Sequence, residues 1–84
     1  MADRGRRVTS LRLATYRELA KVAERAGFHW VRREGSHNVF RNDAGQIVVI
    51  PDHGSREIVR PLLRKLVRDL GLSLEEYHSI LDEL

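Results

Sequence analysis

The chain has 84 residues, which is enough for one domain with a single modest hydrophobic core. It contains no cysteine, and this excludes disulfides, thiolate metal sites and cysteine nucleophiles. No apolar run approaches the roughly 18 residues of a membrane-spanning helix. We therefore expect one domain without a membrane span. The absence of cysteine is typical of the reducing cytoplasm.

Charge is distributed unevenly along the chain. The net charge is +3, and residues 1–71 hold all 15 Lys and Arg residues. Residues 72–84 carry four acidic side chains and no Lys or Arg. A basic body of this kind favours a polyanionic partner such as a nucleic acid. Ordinary solvated surface charge is the alternative.

The N-terminal part begins with a basic segment and continues into a first helix. Residues 1–13 are rich in arginine and poor in large apolar side chains, so we expect a flexible lead-in followed by a single domain over residues 14–84. Thr15 and Glu18 have the spacing of a helix capping box. Gly27 is expected to end this helix in a left-handed conformation.

Three strands are expected next. Runs rich in β-branched and aromatic residues occupy residues 28–33, 38–42 and 46–50. The turns between them are short, and this predicts an antiparallel meander. The third run is apolar at four consecutive positions, so we expect little solvent on either of its faces. Both the odd- and the even-numbered positions of the second run are partly apolar. The pattern therefore leaves open which sheet face carries Val39 and which carries Phe40.

Two more helices complete the chain. An apolar stripe predicts a second helix with Pro61 in its first turn. Ser73 and Glu76 form another capping box, which opens a short C-terminal helix. The order of elements predicts an α+β domain, in which both long helices pack on one face of a three-stranded antiparallel sheet. The other face, or the loops, would then be free for function.

His37 is the leading candidate for chemistry among the four histidines. It follows a Gly35-Ser36 turn at the start of a strand, and Arg32 and Arg41 are nearby in sequence. An imidazole can take the proton from a ribose 2′-hydroxyl, and guanidinium groups stabilise the charge that develops on the phosphoryl oxygens. An imidazole beside guanidinium groups is therefore what metal-free RNA cleavage needs. A turn histidine that bonds to the backbone is the alternative.

The other histidines have weaker support. His53 lies in the loop after the third strand and is a second proton carrier, a phosphate ligand or a structural residue of that loop. His29 is expected in the sheet, and His78 on the surface of the last helix. The chain has no ligand-spaced cluster and no phosphate-binding Gly-rich loop, so we expect neither a metal nor a cofactor.

Several basic side chains are candidates for binding RNA phosphates. Those on or beside the strands and along the second helix are Arg33, Arg41, Arg64 and Lys65. Trp30 and Phe40 could stack on bases, but in so small a domain we expect both rings in the core.

The stretch from Gly27 to Ser73 resembles the HicA toxin family. Residues 27–37 resemble its Gly-Phe strand and Gly-Ser-His block, and residues 49–54 resemble its Val-x-Pro-x-His-Gly segment. Residues 63–73 resemble its second helix and closing Gly-x-Ser. Together, the two histidine-containing blocks are a fairly specific signal. The resemblance implies a fold like that of double-stranded-RNA-binding domains.

The resemblance also implies a function. Members are toxins of type II toxin–antitoxin systems that cleave mRNA and arrest translation, and a HicB-like antitoxin covers the active site. The catalytic histidine of the family falls on His37, and we expect support from His53, Arg32 and Ser36. A non-catalytic module that binds RNA or protein through the same fold is the alternative. The sequence does not specify the oligomeric state.

Overall fold

The computed structural model describes residues 10–84. The elements are α1 (Tyr16–Arg25), β1 (Phe28–Glu34), β2 (His37–Asn42), β3 (Ile47–Pro51), α2 (Arg60–Asp69) and α3 (Leu74–Asp82). The strands form one antiparallel sheet in the order β1-β2-β3. The predicted α+β class and the arrangement resembling a double-stranded-RNA-binding domain are therefore confirmed.

Local sequence signals define both ends of α1. The Thr15 hydroxyl accepts a hydrogen bond from the Glu18 N–H at 3.3 Å, and the Glu18 carboxylate accepts one from the Thr15 N–H at 2.9 Å. Two backbone donors at the helix start are thereby satisfied. Gly27 has φ +94°, a conformation that a side chain at Cβ would disfavour. The predicted capping box and helix end are confirmed.

The core lies between the helices and one face of the sheet. Its largest fully buried side chains come from the sheet and from all three helices. They are Leu19, Val22, Phe40, Ile50, Leu63, Leu66 and Tyr77. Phe40 is part of this core, whereas Val39 is buried outside it. Because neighbouring strand residues point to opposite faces, Val39 marks the face that the helices leave free.

Two expectations about the sheet are wrong. Ile47 and Val49 are 56% and 40% exposed, because only one face of β3 is covered by helices. Trp30 is 52% exposed, since it lies on the edge strand β1. Its indole Nε1 donates to Oδ1 of Asn38 at 2.9 Å, so the polar end of the ring is bound while much of its surface meets solvent.

The segment before α1 packs against α3. Leu11 is only 3% exposed, so the packed part of the chain begins before residue 14. Residues 1–9 of the expected flexible lead-in lie outside the described residues. The prediction that His78 lies on the surface is wrong. It is 7% exposed, and its Nε2 accepts a hydrogen bond from the Arg12 N–H.

None of the helices in the described part of the chain combines the length and apolar character needed to cross a bilayer.

Candidate active site

His37 is the first residue of the central strand, and its backbone is held on both sides. It pairs with Glu34 of β1 and with Pro51 of β3. The backbone N–H of Asp52 donates to the Ser36 carbonyl oxygen at 2.7 Å, so the turn before His37 is tied to the end of β3. A tight turn followed by a doubly paired strand therefore fixes the direction of an exposed imidazole.

The face of β2 that carries His37 is the one the helices leave free. Asn38 and Phe40 are buried on the helix-covered side of the strand, so His37, Val39 and Arg41 lie on the other side. The side chains of His37 and Arg41 are exposed. The structure thus brings together on one open surface the histidine and one arginine that the sequence singled out.

Arg32 joins His37 on this surface. It pairs with Val39 across β1 and β2, and directly opposite residues of a ladder share a face. A bulge between Trp30 and Arg32 shifts the register by one residue. Without that extra residue, Arg32 would point to the helix-covered side. The bulge therefore decides whether this guanidinium can act beside His37.

Glu34 is a site residue that sequence reasoning missed. Its carboxylate Oε2 accepts from Nε of Arg32 at 2.6 Å, and its backbone pairs with His37. The pKa of Glu34 is lowered, first by the hydrogen bond and charge of Arg32 and to a smaller degree by His37. The carboxylate thus orients Arg32 while leaving the remaining guanidinium N–H groups available. Only the cross-strand register reveals this arrangement.

Ser36 and His53 flank the catalytic candidate in different ways. Ser36 is half-buried and uses its carbonyl oxygen in the bond from Asp52. His53 is exposed and lies two residues beyond Pro51, the cross-strand neighbour of His37. Its carbonyl oxygen accepts from the Arg56 N–H at 3.3 Å. His53 therefore borders the same end of the sheet, on a loop rather than on a strand.

The remaining basic candidates are spread over other surfaces. Arg33 pairs with Asn38 and donates from its Nε to the Gly35 carbonyl oxygen at 2.7 Å. Arg64 and Lys65 lie on the exposed side of α2. Since α2 packs on the helix-covered side of the sheet through Leu63 and Leu66, Arg64 and Lys65 belong to the opposite layer from His37. His29 lies in β1 as predicted and pairs with Arg41.

Within residues 10–84, no three histidine or acidic side chains come close enough together to hold a metal ion.

Comparison with known proteins identifies the family. The family model described as "HicA toxin of bacterial toxin-antitoxin" matches residues 16–72, well over half of the chain. That stretch runs from the start of α1 past the end of α2 and includes His37, Arg32, Arg41 and His53. No curated protein matches the chain. The chain therefore belongs to the HicA toxin family of bacterial toxin–antitoxin systems.

Proposed function

We propose that this toxin is an endoribonuclease that cleaves mRNA without a metal ion and so arrests translation as part of a stress response. The observation that supports this most directly is the free face of the sheet. There, an exposed imidazole at the rigid start of β2 shares a surface with Arg32 and Arg41. Because mRNA is translated in the cytoplasm, we propose that the protein acts there.

In the proposed reaction, His37 acts as the general base. Its imidazole takes the proton from a ribose 2′-hydroxyl, and the resulting oxygen attacks the adjacent phosphorus. The bond from phosphorus to the 5′-oxygen of the next nucleotide breaks, leaving a 2′,3′-cyclic phosphate and a 5′-hydroxyl. The leaving oxygen takes up a proton, which either protonated His37 or His53 can supply.

Arginines supply the electrostatic part of the catalysis. Arg32, oriented by Glu34, stabilises the extra negative charge on the phosphoryl oxygens in the transition state. Arg41 lies two residues beyond Val39 on the same strand face and binds a neighbouring phosphate. Ser36 supports the turn that presents His37. Arg33, Arg64 and Lys65 are proposed as outer contacts that add affinity without reading sequence.

The same face fits a protein partner. Ile47 and Val49 are exposed apolar side chains on the face that carries His37 and Arg41. A HicB-like antitoxin that buries these two side chains and presents acidic groups to the arginines would exclude RNA from His37. RNA and antitoxin would then compete for one surface.

The test is RNA cleavage by purified wild type and by His37→Ala, both in excess EDTA, with folding checked by circular dichroism. We expect cleavage by the wild type alone. Because His37 is exposed, its removal should leave the fold intact. A matched His53→Ala variant shows whether the second histidine carries a proton. Equal cleavage by His37→Ala would contradict the proposed role. Intact RNA with folded wild type would favour a non-catalytic binding module.

A further inference from the structure

A cleft lies at the end of the sheet where β3 ends, between the start of α1 and the β3–α2 loop. Its volume is about 430 Å³, within the range of about 300–1,000 Å³ typical of small-ligand sites. The lining residues come from both segments and are Thr15, Tyr16, Arg17, Asp52, Gly54 and Ser55. None of these side chains has a role in the cleavage reaction proposed above.

The cleft residue Asp52 directly follows Pro51, the residue that pairs with His37. Pro51 pairs with His37 across β3 and β2, and directly opposite Cα atoms in such ladders are about 4.5–5.5 Å apart. Asp52 is the next residue, and its N–H bond to the Ser36 carbonyl closes the gap between the strands. Because Tyr16 packs against Phe40 on the helix-covered side, the cleft opens around the end of the sheet from the free face that carries His37, and an RNA that occupies both must pass over this end.

Tyr16 provides an aromatic wall. The ring is half-buried, and its centroid is 6.5 Å from that of the buried Phe40. Burial raises the pKa of Tyr16, and the charge of Asp52 raises it further, so the phenol is neutral at physiological pH. A neutral ring that is supported from behind and open at one side is suited to stacking on a nucleobase.

Asp52 provides a fixed acceptor. One carboxylate oxygen, Oδ1, accepts from the Gly54 N–H at 2.9 Å, which orients the group. A carboxylate has two oxygens and about four acceptor positions, so it can still accept two parallel N–H bonds. Guanine is the base that presents two adjacent donors, N1–H and N2–H, on its Watson–Crick edge. Cytosine, adenine and uracil each place an acceptor beside their donor there.

We propose that this cleft is a guanine-binding subsite, in which Tyr16 stacks on the base, Asp52 accepts from N1–H and N2–H, and Arg17 contacts the backbone phosphate. The proposal deepens the proposed ribonuclease function, on which its cleavage readout rests. It makes Asp52 a specificity-determining residue, so that RNA is cut beside guanosine in preference to other nucleotides.

The experiment uses four short oligouridylates, each with a different base at the central position. Binding is measured by fluorescence anisotropy on 2′-O-methyl versions, which lack the attacking hydroxyl, and cleavage is mapped on the ribose versions. Asp52→Asn preserves the acceptor for Gly54 and replaces the other oxygen with a donor. Asp43→Asn is the matched control, because Asp43 is an exposed aspartate in the hairpin loop at the far end of β2.

We expect the wild type and Asp43→Asn to bind the guanine oligonucleotide about tenfold tighter than the all-uridine one, as one bidentate contact provides. Asp52→Asn should reduce that preference to within about twofold. Tyr16→Leu should weaken binding of the guanine oligonucleotide by at least about fivefold, and Tyr16→Phe should retain it.

Two outcomes overturn the subsite. One is wild type without a base preference, and the other is an equal loss of preference in both aspartate variants. If the wild type cleaves RNA but shows no preference, the guanine subsite fails and the ribonuclease stands. If the binding preference depends on Asp52 but no RNA is cut, the proposed guanine subsite is supported and the proposed ribonuclease activity is contradicted.

Discussion

Nε2 of His78 accepts a hydrogen bond from the backbone N–H of Arg12 at 3.0 Å. The bond joins α3 to the segment that leads into α1, and it requires a neutral imidazole. Burial, followed by the positive charge of Arg12, lowers the pKa of His78, while Asp82 opposes the shift. Folding thus favours the neutral form of His78.

The first prediction concerns pH and stability. Because the pKa of His78 is lower in the folded than in the unfolded chain, the unfolded state binds more protons. The free energy of unfolding should therefore fall as the pH drops below about 6.5, the ordinary value for histidine. Urea titrations across that range measure it. A His78→Leu variant should lose this part of the pH dependence, whereas a profile identical to the wild type would contradict the assignment.

The second prediction concerns the other bond to the same segment. The Tyr77 hydroxyl donates to the Arg12 carbonyl oxygen at 2.7 Å, and burial raises the pKa of Tyr77 to about 12. Tyr77→Phe should cost about 1 kcal/mol of unfolding free energy, since this part-buried hydrogen bond is lost. Because Tyr77 and His78 hold one peptide segment, the double variant should be non-additive. Strict additivity in denaturant titrations would show that the two bonds act independently.

A third prediction tests Glu34 as a positioning residue for Arg32. Glu34→Gln keeps an acceptor for Nε of Arg32 but removes a negative charge from the RNA-facing surface. RNA should bind about two- to threefold tighter at low salt, and the gain should vanish at high salt. The rate at saturating RNA should fall, because the neutral amide orients Arg32 less firmly. Tighter binding with an unchanged kcat would limit Glu34 to an effect on affinity.

A fourth prediction compares the two sides of the sheet. Arg41→Gln should weaken RNA binding. It should also reduce the steepness of the plot of log affinity against log salt concentration by about 0.7, the value for one phosphate contact with a single strand. Arg64→Gln removes the same charge from α2, on the opposite layer, and should have a smaller effect. Titrations at several salt concentrations separate the two. If Arg64→Gln has the larger effect, RNA binds along the helices.

The fifth prediction concerns Trp30 and Asn38. Asn38 is 4% exposed, and its Nδ2 has no hydrogen-bond partner among the described residues. Its Oδ1 depends on the indole of Trp30. Trp30→Phe should therefore destabilise the fold by about 1–3 kcal/mol, the cost of an unpaired buried polar group, although Trp30 is half-exposed. A change below about 0.5 kcal/mol in thermal or urea unfolding would show that solvent reaches Oδ1.

The elements and their order were predictable because their signals are local. The Thr15 and Ser73 capping boxes, Gly27, and the change from helical to alternating periodicity each act over a few residues. The candidate histidine was predictable for a similar reason, since the turn that presents His37 is contiguous with it. Family membership, too, was visible in short blocks of sequence.

Other features depend on contacts between segments that are distant in sequence. The β-bulge and the register of β1 against β2 decide that Arg32 and Glu34 share a face with His37. Packing of α1 and α2 on one side of the sheet decides that Phe40 is covered while Ile47 and Val49 are exposed. His78 is buried because α3 packs against the segment around Arg12, far from it in sequence. These placements depend on pairing and burial between segments that are far apart in sequence. A short stretch of sequence therefore does not determine them.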